Sequence, residues 1–432
     1  MLTRLDLRGC GTDVRGRLPR PGADGEEPVE AVRRILADVR ARRDEAVRDC
    51  TERFDGVAVD SLRVPAADVR SALDATPGPL REALEAAAAA IEAYHRHQYE
   101  AWTATPYERD GVVVREMRRP VDRAGCYVPG GRARYPSTVL MTAIPARVAG
   151  VPEVALCVPP QSDGTVPGVT LAAAAIAGVD EVYRIGGAQA IAAMAYGTES
   201  VPAVDVIVGP GNIYVAVAKR EVLGEGVVGV PAGFAGPSEV VVVADASAPV
   251  DCAAIDVIVQ AEHGPDGLAW LVTWSEEVAD QVSAAVERLV ADAPRRADIE
   301  ATLRSGGYAV VVDSPEAAVE VSNLIAPEHL ELMCEGADSL LARVRHAGVV
   351  FCGPWAPASV GDYLAGPSHV LPTFGSARFS SGLRVDDFLR TIHSVALDAA
   401  ALARVGPHVT AIADAEGLAA HAQAVRLREA RR

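Results

Sequence analysis

Apolar residues recur with a helical period early in the chain. Val32, Ile35, Leu36 and Val39 fall at i, i+3, i+4 and i+7, which predicts an amphipathic helix. A second helical pattern runs from about Pro79 to Gln98. Between Pro120 and Pro136 the pattern gives way to turn chemistry, Tyr127-Val-Pro-Gly-Gly. Beyond it, Val/Ile-rich runs at Val154–Val158, Glu181–Ile185, Val204–Val208, Val240–Val243 and Ala309–Val312 alternate with Ala-rich helical stretches. That alternation predicts parallel sheets covered by helices. Several runs end directly in glycine, at Gly186-Gly187 and Gly209-Pro210-Gly211. The carboxyl ends of parallel strands are where such sheets bind ligands. From about Ser381 the strand signal fades and a mainly helical tail is expected.

Length and composition refine this. The chain has 432 residues, half of them apolar, too many for one ordinary core, so two large lobes are expected. The excess of 58 acidic over 41 basic residues gives a net charge of −17. With no Lys/Arg block, nucleic acid and anionic membrane are not expected partners. No apolar run reaches the length of a bilayer span, and the first residues do not read as a signal peptide. Seven cysteines without a CxxC pair point to reduced thiols and a cytoplasmic protein.

The dinucleotide fingerprint G-x-G-x-x-G is absent. Gly209-Pro-Gly-Asn-Ile-Tyr begins it, but Tyr214 stands where the third glycine belongs. Composition alone therefore does not reveal a nicotinamide cofactor. Gln260 and His263 lie three apart at the end of an apolar helix face (Ala254, Val257, Ile258, Ala261), just before Gly264-Pro265. The pair fits either two metal ligands or an ordinary polar helix end. Glu328 and His329 follow Pro327, which predicts a helix start. There the two side chains would point about 100° apart and suit two separate tasks. Imidazole is the usual proton shuttle near neutrality, while a charged first turn is the plainer reading. Asp362 and His369 share a loop with two glycines and two prolines. Glu416 and His421 would share a site only if Gly417 breaks the helix between them. His95 and His97 read as a solvated helix end, and His346, His393 and His408 show no partner set in the sequence.

Taken in order, Gln-x-x-His, Glu-His, Gly-Asp-Tyr with a downstream His and a late Glu-Gly-x-x-x-His resemble histidinol dehydrogenase. So do Tyr127-Val-Pro-Gly-Gly, Gly186-Gly-Ala-Gln-Ala-Ile-Ala, Gly209-Pro-Gly-Asn-Ile-Tyr-Val and Gly236-Pro-Ser-Glu. The resemblance runs from the first residues to His421. It implies oxidation of L-histidinol through L-histidinal to L-histidine with two NAD+ in succession. It implies one Zn2+ per subunit on Gln260, His263, Asp362 and His421, with His329 as base and Glu328 activating water. Ser238, Gln260, His263, His329, Asp362, His369, Glu416 and His421 would contact substrate. Tyr127, Gln189 and Asn212 would contact the cofactor. Two imidazoles and two oxygen donors suit zinc and leave room for substrate. The implied fold is α/β, with two incomplete Rossmann-like lobes in a domain-swapped homodimer whose His421 serves the partner's metal. The expected parts are an N-terminal arm (1–25), a first lobe (26–126 and 238–380), a second, NAD-binding lobe (127–237) and a C-terminal helical tail (381–432). The chain departs from the family pattern at Ser368, where Asn is common, and at Ala232, where an acidic residue is often found. Rival readings are a dehydrogenase of the same fold acting on another small amino or hydroxy alcohol, a metal-dependent hydrolase, and a non-catalytic metal-binding or assembly protein.

Overall fold

The computed structural model describes residues 1–10, 14–19, 27–103, 105–130, 134–179, 181–231, 238–264 and 267–430, and leaves out the side chain of His263. Ala232 and the Gly-Pro of the Gly236-Pro-Ser-Glu motif lie outside the described residues. In chain order the strands are β1 Thr3–Asp6, β2 Tyr107–Arg109, β3 Val112–Pro120, β4 Arg123–Tyr127, β5 Glu153–Val158, β6 Glu181–Arg184 and β7 Val206–Val208. They continue as β8 Glu239–Ala244, β9 Leu268–Thr273, β10 Gly307–Val311, β11 His329–Met333, β12 Val349–Cys352 and β13 Leu389–Ala396.

Two parallel sheets carry the molecule, as the alternation predicts. One has four strands in the order β6-β5-β4-β7 and the other six in the order β1-β10-β9-β8-β11-β12. Strands β4, β8, β9 and β11 are buried on both faces, which is why β8 and β9 are near-continuous apolar runs rather than alternating ones. The arm supplies β1 as an edge strand paired with β10.

The helix carrying Val32, Leu36 and Val39 spans Val29–Arg42 and buries those three. The second spans Gly78–Glu100. Both pack on the four-stranded sheet and its helices. Leu84 and Ile91 share a core with β4, β5 and helix Pro136–Ala149 on one face. Val32, Leu36, Val39 and Val47 share a core with helices Gly187–Tyr196 and Ile213–Gly224 on the other. The apolar faces of 29–100 are thus covered by the sheet that 123–208 builds and by its helices. The six-stranded sheet has its own two cores.

The tail also differs from expectation at its start. It opens with β13, which pairs antiparallel with β3 over eight residues in a small sheet ordered β13-β3-β2. Helices Ala399–Ala415 and Ala419–Glu429 follow and pack on each other, burying only Ala401, Gly406, Ala413 and Ala422. Among the described residues no helix is long and apolar enough to cross a membrane. The seven cysteines are free thiols.

Candidate active site

The site is built where β11 lies beside β8. Glu328-His329 does not open a helix. Helix Pro315–Ile325 has already ended at Ala326, which takes the left-handed conformation with φ 55°, and Pro327 follows this cap as a stop signal. His329 is the first residue of β11, in register with Val240. Its ring is 3 % exposed and stacks on Phe351 of β12 at 6.2 Å between centroids. Nδ1 lies 3.2 Å from the backbone oxygen of Glu239. A carbonyl only accepts, so this contact places the proton on Nδ1 and leaves Nε2 as the basic atom. Nε2 stands 3.5 Å from Asp362 Oδ1. The carboxylate of Glu328 lies on the other side, 3.5 Å from Nδ1, with Oε2 accepting the backbone N–H of Glu239 at 2.9 Å.

Gln260 begins a 3-10 turn, Gln260–His263, that tightens the end of helix Val250–Val259. Such a turn puts positions three apart in line. Gln260 Nε2 is 3.4 Å from His329 Nδ1, and Gln260 Oε1 is buried without a partner. Asp362 comes from helix Ala358–Tyr363, so the expected loop is partly helical. Gly361 is required there because a Cβ would run into the Phe351 ring. His369 holds the Asp362 backbone oxygen at 2.9 Å through Nδ1 and meets Thr138 Oγ at 3.1 Å through Nε2. Ser368 donates to the Met141 backbone oxygen at 3.1 Å, so it ties the His369 loop to helix Pro136–Ala149. His329, Asp362 and His369, with Tyr94 and Gln98, line a cavity of about 320 Å³.

Electrostatics follow from this crowding. Burial opposes a charge on His329, but Glu328 and Asp362 outweigh it and push the imidazole up to about 10. Burial holds His369 below the ordinary histidine range. Burial, reinforced by Glu328, pushes Glu239 up to about 8. A pocket that raises an imidazole so far is electronegative. With an unfilled amide oxygen on Gln260 and a carboxylate on Asp362, it fits a cation with nitrogen and oxygen ligands.

Other expected residues lie elsewhere. Ser238 directly precedes β8, and its backbone oxygen accepts Leu268 N–H at 3.0 Å. Glu416 and His421 are exposed and do not line the cavity. Gly417, with φ 74°, does separate the helix ending at Ala415 from the one starting at Ala419. Tyr127 ends β4, and its hydroxyl accepts Gly187 N–H at 3.1 Å. Gln189 is 1 % exposed, in the first turn of helix Gly187–Tyr196. Asn212 caps helix Ile213–Gly224 by accepting Tyr214 and Val215 N–H at 3.1 and 3.2 Å. All three stand at the carboxyl end of the four-stranded sheet. Gly209, with φ 106°, turns so tightly there that a Cβ would strike the Tyr127 backbone oxygen, and Lys219 Nζ donates to its carbonyl.

Sequence reasoning missed Glu239, Glu331, Asp256 and Thr138. An acidic residue heading the otherwise apolar run Glu239–Ala244 was the available signal for Glu239. His95 is corrected too: it is fully buried, with Nδ1 on the Ile91 oxygen at 2.8 Å, because helix Gly78–Glu100 turns that face inward. His393 gains a cross-strand partner in Glu116 at 3.3 Å, which the pairing of β13 with β3 creates.

A family model described as histidinol dehydrogenase matches residues 18–429. The chain belongs to the histidinol dehydrogenase family. The histidinol dehydrogenase of Parasynechococcus marenigrum is 50% identical over 397 residues, covering 91% of this chain and 89% of that protein. That of Geobacillus kaustophilus is 48% identical over 404 residues, covering 93% and 94%. The crystal structure of histidinol dehydrogenase from Elizabethkingia anophelis superposes with a TM-score of 0.93 at 34% identity, over 99% of this chain and 98% of that one. Family membership makes the chain an oxidoreductase and sets aside the hydrolase and non-catalytic readings.

Proposed function

We propose that this protein oxidises L-histidinol to L-histidinal and then to L-histidine, the closing steps of histidine biosynthesis. The observation that carries the reading is the convergence of His329, Asp362 and His369 on one cavity, with Gln260 beside His329 and its oxygen unfilled. Gln260 and Asp362, with His263 and a His421, would hold zinc. Zinc held there would orient the carbinol carbon of the substrate, and NAD+ would supply the hydride acceptor.

The chain's own residues move the protons. A zinc charge beside His329 would offset Glu328 and Asp362 and leave the imidazole neutral, so that Nε2 takes the hydroxyl proton as hydride leaves, Nδ1 facing the Glu239 oxygen. Glu328 then removes a proton from water as its oxygen adds to the aldehyde carbon, while His329 returns its proton to the carbonyl oxygen, giving the hydrate and freeing the base. A second proton loss to His329 with a second hydride loss yields the carboxylic acid, which ionises. The Glu239 N–H holds Glu328 in place for this. Tyr127, Gln189 and Asn212 form the dinucleotide edge, and the two sheets serve as the two Rossmann-like lobes.

His421 comes from the partner in this reading. Ile392, Val395, Leu397, Ile412, Leu418 and Leu427 expose an apolar surface along 392–427. A domain-swapped homodimer covers that surface and brings His421 to the other chain's Asp362. The test is an NADH-coupled assay with L-histidinol. It should give two NADH and one L-histidine per substrate, and a chelator should abolish it. One NADH per substrate with accumulating aldehyde, or full activity after metal removal, would sink the reading.

A further inference from the structure

Asp55 is the last residue of helix Asp44–Asp55, which Gly56 ends in the left-handed region. A carboxylate there meets the negative end of the helix dipole, where a cation is favoured. The residue is half-buried and its Oδ2 is enclosed without a hydrogen-bond partner. Burial pushes its carboxyl up to about 6. Each feature costs folding stability, and the enclosed oxygen gains no hydrogen bond in return.

The surroundings suggest what the cost is for. Asp55 Oδ1 lies 3.3 Å from where a Cβ on Gly186 would stand, beside Pro159. Pro159 directly follows β5, and Gly186-Gly187 leads from β6 into helix Gly187–Tyr196. The Tyr127 hydroxyl at the end of β4 takes Gly187 N–H. Gln189 carries a second unfilled group, the buried donor Nε2. An empty acceptor and an empty donor thus flank one Gly-Gly turn at the carboxyl ends of adjacent parallel strands. That is the edge where open parallel sheets take nucleotides.

We propose that Asp55 accepts the two hydroxyls of the adenosine ribose and so selects NAD+ over NADP+. This rests on the cofactor reading above. The faces of the sheet decide which ribose is meant. Helix Pro136–Ala149 lies on one face and sends Thr138 to His369 in the catalytic cluster. Helices Asp44–Asp55 and Gly187–Tyr196 pack together on the opposite face. A dinucleotide with its nicotinamide at His329 lays its other half toward Asp55. A vicinal diol gives one carboxylate two charge-assisted hydrogen bonds. A 2′-phosphate sets a dianion against it in a half-buried place, and this repulsion supplies the selectivity.

The test uses the intact protein with calorimetric titration of NAD+, ADP-ribose and 2′-phospho-ADP-ribose, beside steady-state kinetics. Asp55→Asn should weaken NAD+ and ADP-ribose roughly tenfold and raise the KM for NAD+ while leaving kcat within about twofold. Its preference for ADP-ribose over the 2′-phosphorylated form should narrow, and its melting temperature should hold or rise. Asp55→Ser provides a second variant with the charge removed. Wild-type protein that uses NAD+ alongside variants with unchanged binding and preference would overturn the assignment. A lower melting temperature with unchanged preference marks a structural role and overturns it as well. Wild-type protein that neither binds nor uses NAD+ removes the cofactor reading itself, and this inference with it.

Discussion

The Glu331 carboxyl accepts the backbone N–H of Ala358 at 3.0 Å. Glu331 lies two residues beyond His329 on β11, and Ala358 starts the helix that carries Asp362. Base and proposed metal ligand are therefore registered by one buried hydrogen bond. Burial and the neighbouring Asp256 carboxyl hold Glu331 above the ordinary carboxylate range, which favours its protonated form in the folded chain.

Two substitutions separate the anchor from the charge. Glu331→Ala should cost about 1–3 kcal/mol of stability, the scale of a buried partner left unpaired. It should also loosen metal, measured as zinc retained after dialysis. Glu331→Gln keeps an acceptor for Ala358 and should retain metal. The pH dependence has a definite sign. A raised acid favours the fold fully below its unfolded pKa, and that contribution is lost as pH rises toward the folded pKa. The amide does not titrate, so the melting temperature of Glu331→Gln should gain on wild type between pH 5 and 9. A gap that stays flat or closes would show that Glu331 is ionised in the fold.

The proposed mechanism divides the chemistry between Glu328 and His329. His329→Asn should impair both oxidations, since each needs a proton removed as hydride leaves. Glu328→Gln should spare oxidation of the alcohol far more than oxidation of the aldehyde, which alone needs a hydrated carbonyl. A positioned base contributes roughly 10²–10⁴-fold. Stopped-flow measurement of each half-reaction reads the difference, and equal losses for Glu328→Gln contradict the assignment.

Cys126 sits beside Tyr127 on β4, where aldehyde oxidation through a thiol adduct would be one route. The structure argues against it. The thiol is fully buried, and burial pushes it up to about 12. Cys126→Ala should retain most activity. Complete loss, with fold and zinc content intact, would restore the thiol route.

The proposed zinc site shared across a dimer predicts complementation. Asp362→Ala and His421→Ala homodimers should each be nearly inactive. A mixed dimer carries one intact and one doubly broken site. Random pairing after refolding a mixture should restore roughly a quarter of wild-type activity. Differently tagged chains verify that mixed dimers form. If they do and activity does not return, His421 serves its own chain or none.

The sequence showed the parallel architecture wherever a strand was Val/Ile-rich, as at β5, β8 and β10, and most clearly where the run also ended in glycine, as at β6 and β7. It hid β4, Arg-Ala-Gly-Cys-Tyr, whose small residues carry little strand signal although both faces are buried. It hid β11 because function fills that strand with His329 and Glu331, polar groups that only their buried partners make tolerable. Pro327 misled for a related reason: a proline marks a helix start or lies just past a helix end, and only the left-handed Ala326 distinguishes the two. Gln260 and Asp362 were legible from motif spacing. Glu239 and Asp256 were not, since their roles arise from strands and helices far apart in sequence. The lobe of 29–100 followed apolar faces rather than chain order.

Asn212 has one more consequence. Its oxygen already takes the Tyr214 and Val215 N–H groups at the head of helix Ile213–Gly224. In a glycine-fingerprint fold, a helix head of this kind grips the pyrophosphate. Here Asn212 already occupies two of those N–H groups, so the proposed carrier would rely less on the helix head and more on other groups at this edge. The atoms facing the reacting carbon are enclosed, with Gln260 and His329 at 1 % and 3 % exposure. In the proposed reaction two hydrides leave one molecule, so a spent carrier must depart and a fresh one enter while the aldehyde stays in place. Loose tenure for the courier and tight custody of the half-finished product are what that sequence of events demands.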